Sequence, residues 1–137
     1  MREVFVQKAE ALDFYCLSED AIKVVRSMRS PVFRIVNAEG EILALGGLEN
    51  IYPETAEAWF YISENGKKYT ALPGAVRKTI VHLQLSRKIE RVHAFIRASS
   101  EVENRFVQWL GFEKEAVVQC WRQGEDFTLY RRIRRWH

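Results

Sequence analysis

The sequence has few of the features that mark a secreted or membrane-spanning chain. Its 137 residues include two cysteines and three prolines, and charges interrupt every apolar run well before the roughly 20 residues needed to cross a bilayer. The opening residues, MREVFVQKAE, lack the apolar centre of a signal peptide. We therefore expect a cytoplasmic protein with no disulfide framework and no contact with a membrane.

Metal-binding patterns are also missing. Cys16 and Cys120 lie in apolar stretches without metal-ligand spacing, so we expect both to be buried thiols. His82 and His93 are far apart in the sequence and have no clustered Cys, Asp or Glu nearby. The sequence predicts no metal site and structural roles for both histidines.

The excess of positive charge is small and local. The formal net charge is +3, which is too low to indicate nucleic-acid binding over the whole surface. Four arginines crowd the C-terminus beside Trp136 and His137: Arg131, Arg132, Arg134 and Arg135. One interpretation is a solvated terminus. The other is a tail that makes weak contacts with nucleic acid, since guanidinium groups neutralise phosphates and an aromatic ring stacks on bases.

The composition indicates one folded domain over 1–137. Hydrophobic residues make up 47% and charged residues 28%, the balance of an ordinary globular protein. We divide the domain into an N-terminal part (1–62), a middle part with two helices (63–111), a closing hairpin (112–133) and a basic tail (134–137).

Local patterns predict the elements of the N-terminal part. Val4 and Val6 alternate with polar residues as in a strand. Ser18 is a helix N-cap, and Pro31 ends the helix that runs to about residue 29. Runs of β-branched and aromatic residues predict strands over 32–37, 42–48 and 56–62, joined by short turns. Gly46-Gly47 within the second of these predicts a bulge or a close backbone approach.

The remaining elements alternate between helix and strand. Apolar spacing predicts a loop over 63–72, a long helix over 75–89 with Pro73 just before it, and a strand over 92–96. Ser99 or Ser100 caps a further helix that ends at Leu110, with Gly111 as its C-terminal residue. Strands over 112–121 and 127–133 form a hairpin.

These elements predict an α/β (α+β) fold. The order is strand, helix, three strands, helix, strand, helix and two strands. The strand–helix–strand unit around 75–89 requires a right-handed crossover and a parallel strand pair. We therefore expect a mixed, mostly antiparallel sheet of about six or seven strands with helices on both faces.

This order resembles that of the GNAT superfamily of acyl-CoA-dependent N-acyltransferases. The segment SSEVENRFVQWLGF at 99–112, followed by EKEAVV, is similar to the last helix of the family and the strand after it. Gly46-Gly47, the Ala56-Glu57 opening of the third meander strand and the closing GEDFTLYRR also look like the family pattern. The resemblance covers nearly the whole chain.

The resemblance implies a site for acetyl-CoA in a notch between two parallel strands that splay apart. In the family, the pantetheine arm pairs with the strand before the long helix, and the pyrophosphate sits at the start of that helix. The implied cofactor-binding residues are Trp59, Phe60, Tyr61, Ile62 and Ser63 at the strand edge, Gly74 and Ala75 at the helix start, and Lys68, Arg77 and Lys78, with Lys67 nearby, as phosphate-attracting cations.

Several family positions carry other residues in this sequence. The family's pyrophosphate loop maps onto YTALPG at 69–74, where Gly74 matches, Leu72 replaces a glycine and Pro73 lacks an N–H. The usual acid, a tyrosine, maps onto Val107, and a common asparagine maps onto Ser100. Glu57 matches a position that often carries the catalytic base, and Tyr61 and Tyr69 are alternative sources of an acidic hydroxyl.

The resemblance leaves two functions open. The first is an N-acetyltransferase that moves an acyl group from acyl-CoA to a small amine or peptide amine, with Glu57 as base and the backbone N–H groups near Trp59 and Phe60 polarising the thioester. The second is a non-catalytic binding or structural module. Short GNAT-like phage proteins, including internal virion proteins, are similar in the lost glycines and in LPGAVRK at 72–78, and a virion location would follow. A homodimer is a further expectation.

Overall fold

A seven-stranded sheet carries the fold in the computed structural model, which describes residues 3–135. Its strands are β1 (Phe5–Lys8), β2 (Phe33–Val36), β3 (Ile42–Tyr52), β4 (Thr55–Ile62), β5 (Arg91–Arg97), β6 (Glu113–Arg122) and β7 (Glu125–Ile133). The α-helices are α1 (Glu19–Ser27), α2 (Leu72–Ser86) and α3 (Glu101–Trp109), and two 3₁₀ helices cover Ala11–Cys16 and Gly66–Lys68. Trp136 and His137, part of the predicted basic tail, lie outside the described residues.

The strand order is β1-β2-β3-β4-β5-β7-β6. The β4–β5 pair is parallel, and the other five neighbouring pairs are antiparallel. The helix α2 connects the two parallel strands as a crossover. The predicted mixed, mostly antiparallel sheet is confirmed, and β4 lies at its centre.

Two helices pack on one face of this sheet. The buried side chains of α2 (Leu72, Val76, Ile80 and Leu83) and of α3 (Val107) join one core with Ala56, Ala58, Val92 and Ala94 of the two parallel strands. Because neighbouring side chains of a strand point to opposite faces, the even-numbered residues of β4 and β5 define the face that α2 and α3 cover.

The N-terminal 3₁₀ helix and the end of α1 lie over the opposite face. Asp13 forms an ion pair with Arg34 of β2 at 3.1 Å. The backbone N–H groups of Arg29 and Ser30 donate to Glu49 of β3 at 3.2 Å. These contacts cover the β2–β3 half of that face, and the prediction of helices on both faces is confirmed.

The predicted start of α1 is confirmed. The hydroxyl of Ser18 accepts a hydrogen bond from Ala21 N at 3.2 Å, and Glu19 and Asp20 occupy the first turn, where the helix dipole favours acids. A close backbone approach at the glycine pair is also confirmed, because a Cβ on Gly46 would lie 2.9 Å from the backbone oxygen of Trp59.

The predicted boundaries of the long helix were wrong by three residues at each end. Helix α2 begins at Leu72 rather than residue 75, because Leu72 is buried and belongs to the helix's core-facing side. It ends at Ser86. Ile89 is fully buried but lies after the helix, where its N–H donates to Gln84 O. The predicted loop before α2 contains the 3₁₀ helix Gly66–Lys68, and β3 continues to Tyr52, beyond its predicted end.

Two further local predictions were wrong. Cys16 and Cys120 are both exposed, not buried. Cys16 ends a surface 3₁₀ helix, and Cys120 lies at an irregularity of the edge strand β6 with a positive φ of 49°. Ser100 occupies the N-cap position of α3, but its side chain makes no capping hydrogen bond. Among residues 3–135, no helix is long and apolar enough to cross a membrane.

Candidate functional site

The parallel strands β4 and β5 separate after a short region of pairing. They pair at Thr55↔Arg91, Ala56↔Val92 and Glu57↔His93, and no later pair joins them in the described part of the chain. Beyond Glu57, β4 continues to Ile62 with β3 on one side and an open edge on the other, while β5 continues to Arg97 beside β7. The predicted notch is therefore present.

The open edge of β4 presents the backbones of Phe60 and Ile62. Ser63 N donates to Leu43 O of β3 at 2.9 Å, so the backbone of Ser63 points toward β3. Since the hydrogen-bonding direction alternates along an antiparallel strand, Tyr61 and Trp59 also pair with β3, and the intervening residues point into the notch. Of the two amides predicted to polarise a thioester, this geometry places that of Phe60 at the notch and that of Trp59 in the β3 ladder.

A tight turn connects β4 to the segment that precedes α2. The hydroxyl of Ser63 accepts a hydrogen bond from Gly66 N at 2.9 Å. Together with the hydrogen bond from Ser63 N to Leu43 O, this contact holds the turn. A Cβ on Gly66 would lie 2.2 Å from Leu43 O, which only glycine avoids. The sequence therefore fixes the path of the chain from the notch to the start of α2.

The start of α2 has no side-chain cap. Ala71 occupies the N-cap position and Pro73 the second helical position. The N–H groups of Leu72 and Ala75 donate to Tyr69 O and Ala71 O, and Pro73 has no N–H. Gly74 is half-buried, and a Cβ there would meet nothing within 4 Å. The helix start is open to a ligand but offers fewer amide donors than an ordinary one.

The cations near this helix start differ in their contacts and in the direction of their side chains. Lys67 Nζ donates to Glu64 Oε1 at 2.9 Å, and this hydrogen bond raises the pKa of the lysine above its ordinary value. Lys68 and Lys78 are exposed. The guanidinium of Arg77 lies 5.8 Å from the centre of the Trp109 ring and donates to Trp109 O at 3.4 Å, so it is directed toward the end of α3.

Phe60 of β4 and Phe106 of α3 meet edge to face. Their ring centres are 6.4 Å apart with an interplanar angle of 87°. Phe60 also lines a cavity of about 30 Å³ together with Val76 and Ile80 of α2. These two rings give the α2 and α3 side of the notch an apolar lining.

Glu57 and His93 face each other on the opposite side of the sheet, at the last paired position of the two strands. His93 Nε2 lies 3.7 Å from Glu57 Oε1. The Glu57 side chain is 46% exposed and that of His93 12%. His93 Nδ1 is buried and has no hydrogen-bond partner among residues 3–135. A buried nitrogen without a hydrogen-bond partner costs free energy of folding, which argues against a purely structural role for this pair.

Charged and aromatic side chains surround this pair. Arg91 donates to Glu115 at 3.0 Å, and this hydrogen bond lowers the pKa of the Glu115 carboxyl below its ordinary value. Phe95 stacks on Trp121 with 4.5 Å between the ring centres, and its ring meets that of His93 edge to face at 5.6 Å. Trp121 is half-exposed. An aromatic surface with a half-exposed ring therefore lies next to His93, which faces Glu57.

The candidate acids lie in different surroundings. Tyr69 is buried, and its hydroxyl accepts from Asn37 Nδ2 at 3.0 Å. Tyr61 is half-buried and, two strand positions from Trp59 and four from Glu57, shares their face of the sheet. Val107, at the family's usual acid position, is buried in the core. The structure thus brings Tyr61 to the face of Glu57 and leaves Tyr69 away from solvent.

Asn104 is a polar residue that the sequence analysis did not single out. Its amide nitrogen donates to Arg97 O at 3.0 Å and to Ser100 O at 2.6 Å, and its amide oxygen accepts from the hydroxyl of Tyr130 at 2.6 Å. Tyr130 is buried in the core. Asn104 therefore joins β5, α3 and β7 at the end of the notch.

Comparison with solved structures identifies this architecture. The chain superposes on a ribosomal-protein-S5-alanine acetyltransferase from Vibrio fischeri with a TM-score of 0.78, 15% identity and coverage of 95% of this chain and 92% of that chain. For a GNAT-family acetyltransferase from Bacillus anthracis the TM-score is 0.77 and the identity 14%, over 97% and 96% of the two chains. The chain has the GNAT fold.

A third GNAT-fold structure gives the same result. The spermidine/spermine N-acetyltransferase from Vibrio cholerae matches with a TM-score of 0.78 and 10% identity, over 95% of this chain and 92% of that chain. No protein-family profile and no curated protein sequence matches the chain. At these identities the match shows the fold, and the chemistry must be argued from the site.

Proposed function

We propose that this GNAT-fold chain is an N-acetyltransferase that transfers the acetyl group of acetyl-CoA to an amine. The observation that carries the proposal is the separation of β4 from β5 directly after Glu57 and His93. Around the resulting opening lie the open edge of β4, the uncapped start of α2 and the carboxylate–imidazole pair of Glu57 and His93.

The residues present fit an acyl-CoA donor. The backbones of Phe60 and Ile62 would pair with the amides of the pantetheine arm, as a further strand would. The pyrophosphate would lie at the start of α2, where Gly74 and Ala75 bring the backbone close and the helix dipole favours an anion. Because Pro73 removes one donor, the exposed ammonium groups of Lys68 and Lys78 would supply part of the attraction.

The acceptor amine would approach from the face that carries Glu57. An amine must lose a proton before its nitrogen attacks the thioester carbon, and a carboxylate accepts that proton directly or through a water molecule. Glu57 is half-exposed, so it can reach the acceptor. His93, almost buried beside it, is a positioning residue: a small rotation brings its Nε2 within hydrogen-bond distance of Glu57.

The departing thiolate needs a proton as the carbon–sulfur bond breaks. Tyr61 is the hydroxyl that shares the sheet face of Glu57, whereas Tyr69 is buried and bonded to Asn37. We assign the acid role to Tyr61. The N–H of Phe60, which points into the notch, would stabilise the negative charge that develops on the carbonyl oxygen.

One observation favours the alternative of a non-catalytic module. Leu72, in place of a family glycine, is 2% exposed and packs in the core, so the helix start is used for folding as well as for a ligand. A protein that keeps the fold for its own stability would show the same feature. The two functions therefore differ in turnover, not in architecture.

Turnover is the test of the proposal. Purified protein, acetyl-CoA and a panel of amines (a polyamine, a simple alkylamine and a peptide with a free N-terminus) are incubated together, and acetylated products are detected by mass spectrometry. We expect protein-dependent acetylation of at least one amine class. Acetyl-CoA binding without any acetylated product would favour the non-catalytic module.

A further inference from the structure

We propose that the groove formed by Arg132, Arg134 and Arg135 beside Arg77 is a binding site for the phosphate backbone of single-stranded nucleic acid, separate from the acyl-donor site. We call it the arginine groove. It has a volume of about 370 Å³ and is lined by Gly111, Glu113, Arg131, Arg132, Ile133, Arg134 and Arg135.

Two guanidinium groups converge on the floor of the arginine groove. A Cβ on Gly111 would lie 2.6 Å from Arg132 Nη1 and 4.0 Å from Arg77 Nη2, so both side chains approach this glycine closely. Neither Arg77 nor Arg132 forms an ion pair with a carboxylate among residues 3–135. Arg131 and Glu113 also line the groove, but the charge of Arg131 is partly offset, because it lies within 4 Å of Glu113 and Glu115.

These like charges are held together at a cost. Burial lowers the pKa of the Arg132 guanidinium, and the positive charges of Arg77 and Arg134 lower it further. The neutral partner of Arg132 is Gln84, whose amide oxygen accepts from Arg132 Nε at 3.0 Å. A bound phosphate would offset the repulsion, because guanidinium groups bind phosphate oxygens through charge-assisted hydrogen bonds.

The beginning of the basic tail is a fixed part of the fold. Ile133 pairs with Arg91, and Arg134 N donates to Glu90 O at 2.8 Å. The chain is therefore held in the fold up to and including the backbone of Arg134, and the interpretation of a solvated, frayed terminus is wrong for this part. Because the backbone is held as far as this position, less backbone entropy is lost when a ligand binds.

An exposed aromatic ring lies beside Arg77 and favours nucleic acid over a bare polyanion. Trp109 is 54% exposed and lies against the guanidinium of Arg77. A positively charged groove with an aromatic ring at its edge is the arrangement that binds single strands, since the groove follows the phosphates and a base stacks on the ring.

The arginine groove is distant from the start of α2, where we place the pyrophosphate of the acyl donor. Arg132 contacts Gln84, which lies twelve residues after Leu72, the first residue of α2. At 1.5 Å per residue this is about 18 Å along the helix axis. Arg77 lies only five residues after Leu72, about 8 Å along the axis, but its guanidinium is directed toward Trp109 O at the end of α3 and not toward the helix start. The groove and the acyl-donor site are therefore expected to be occupied independently.

The test is the fluorescence anisotropy of a short fluorescein-labelled oligothymidylate titrated with the full chain at several salt concentrations. The double variant Arg134→Gln/Arg135→Gln should weaken binding about tenfold or more and reduce the salt slope by about two, one for each lost phosphate contact. The matched control is Arg26→Gln/Arg122→Gln, which removes the same charge from exposed positions on α1 and at the end of β6 and should keep most of the affinity. Thermal melting of each variant verifies that it is folded.

Two further arms identify the ligand. Trp109→Leu should weaken oligothymidylate binding about fivefold or more and leave inorganic polyphosphate binding unchanged, because only bases stack. Saturating acetyl-CoA should not displace the oligonucleotide. The proposal is overturned by an absence of binding at low salt, by equal losses in the groove variant and its control, by no effect of Trp109→Leu, or by displacement with acetyl-CoA.

Discussion

Replacing Glu57 with glutamine is expected to lower kcat for acetyl transfer by about a hundredfold or more, with less than a twofold change in acetyl-CoA affinity. Glutamine keeps the size of the side chain but accepts no proton at neutral pH, and general-base catalysis contributes on the order of 10²–10⁴ to the rate. Glu57 lies on the sheet face opposite α2, away from the helix start where the pyrophosphate would bind. The measurement is steady-state kinetics with a calorimetric titration of the donor.

Glu113→Gln is the matched control for this variant. Glu113 is exposed at the start of β6 and lies within 4 Å of Arg131, so its loss removes one surface charge near the same face. The control should keep nearly full kcat. If the Glu57 and Glu113 variants lose activity equally, Glu57 is not the base.

His93→Gln should lower kcat less than the Glu57 variant while leaving donor binding unchanged, as expected of a positioning residue.

Gly66→Ala is expected to destabilise the protein by about 3 kcal/mol, which corresponds to a fall in Tm of roughly 10 °C for a chain of this size. The added Cβ would lie 2.2 Å from the backbone oxygen of Leu43, and a backbone atom cannot turn away as a flexible side chain can. The shift would also disturb the hydrogen bonds from Ser63 N to Leu43 O and from Gly66 N to Ser63 Oγ. Urea denaturation and thermal melting measure the change.

Gly74→Ala provides the comparison for Gly66→Ala. A Cβ on Gly74 meets nothing within 4 Å, and alanine is favoured over glycine within a helix by up to about 1 kcal/mol. We expect this variant to be as stable as the unmodified protein or slightly more so. A Gly66→Ala protein as stable as Gly74→Ala would show that the turn after β4 does not need glycine.

Much of the fold could be predicted from local sequence signals with a direct physical cause. Ser18 caps α1, and Gly111 adopts a positive φ of 96° after α3. The hairpin between β6 and β7 turns at Gln123 and Gly124, whose positive φ values are those of a tight two-residue turn. Each of these residues acts on its immediate neighbours, so the sequence around it is sufficient to predict the turn or helix end.

Predictions that depended on distant contacts were less accurate. The start of α2 was placed too late because burial of Leu72, which comes from the packing of α2 on the sheet, is not visible in local spacing. The exposure of Cys120 follows from the position of β6 at the edge of the sheet, which the apolar stretch around it did not reveal.

The candidate site shows the same division. Glu57 was singled out as a candidate base because the resemblance assigned it a position, whereas His93 was expected to be structural. Its relation to Glu57 depends on the register of the parallel pair, in which Glu57 and His93 are opposite each other. No spacing along the chain encodes that register. A histidine between Val92 and Ala94, two buried residues of a predicted strand, was the one local signal available.

The central claim is that the notch between β4 and β5 binds an acyl-CoA donor, and isothermal titration calorimetry with acetyl-CoA and with CoA tests it most directly. The account predicts saturable heat for one ligand per chain, and a rise in Tm that corresponds to about 2.7 kcal/mol of added stability at 100 times the dissociation constant. No heat at millimolar acetyl-CoA, together with an unchanged Tm, would contradict it.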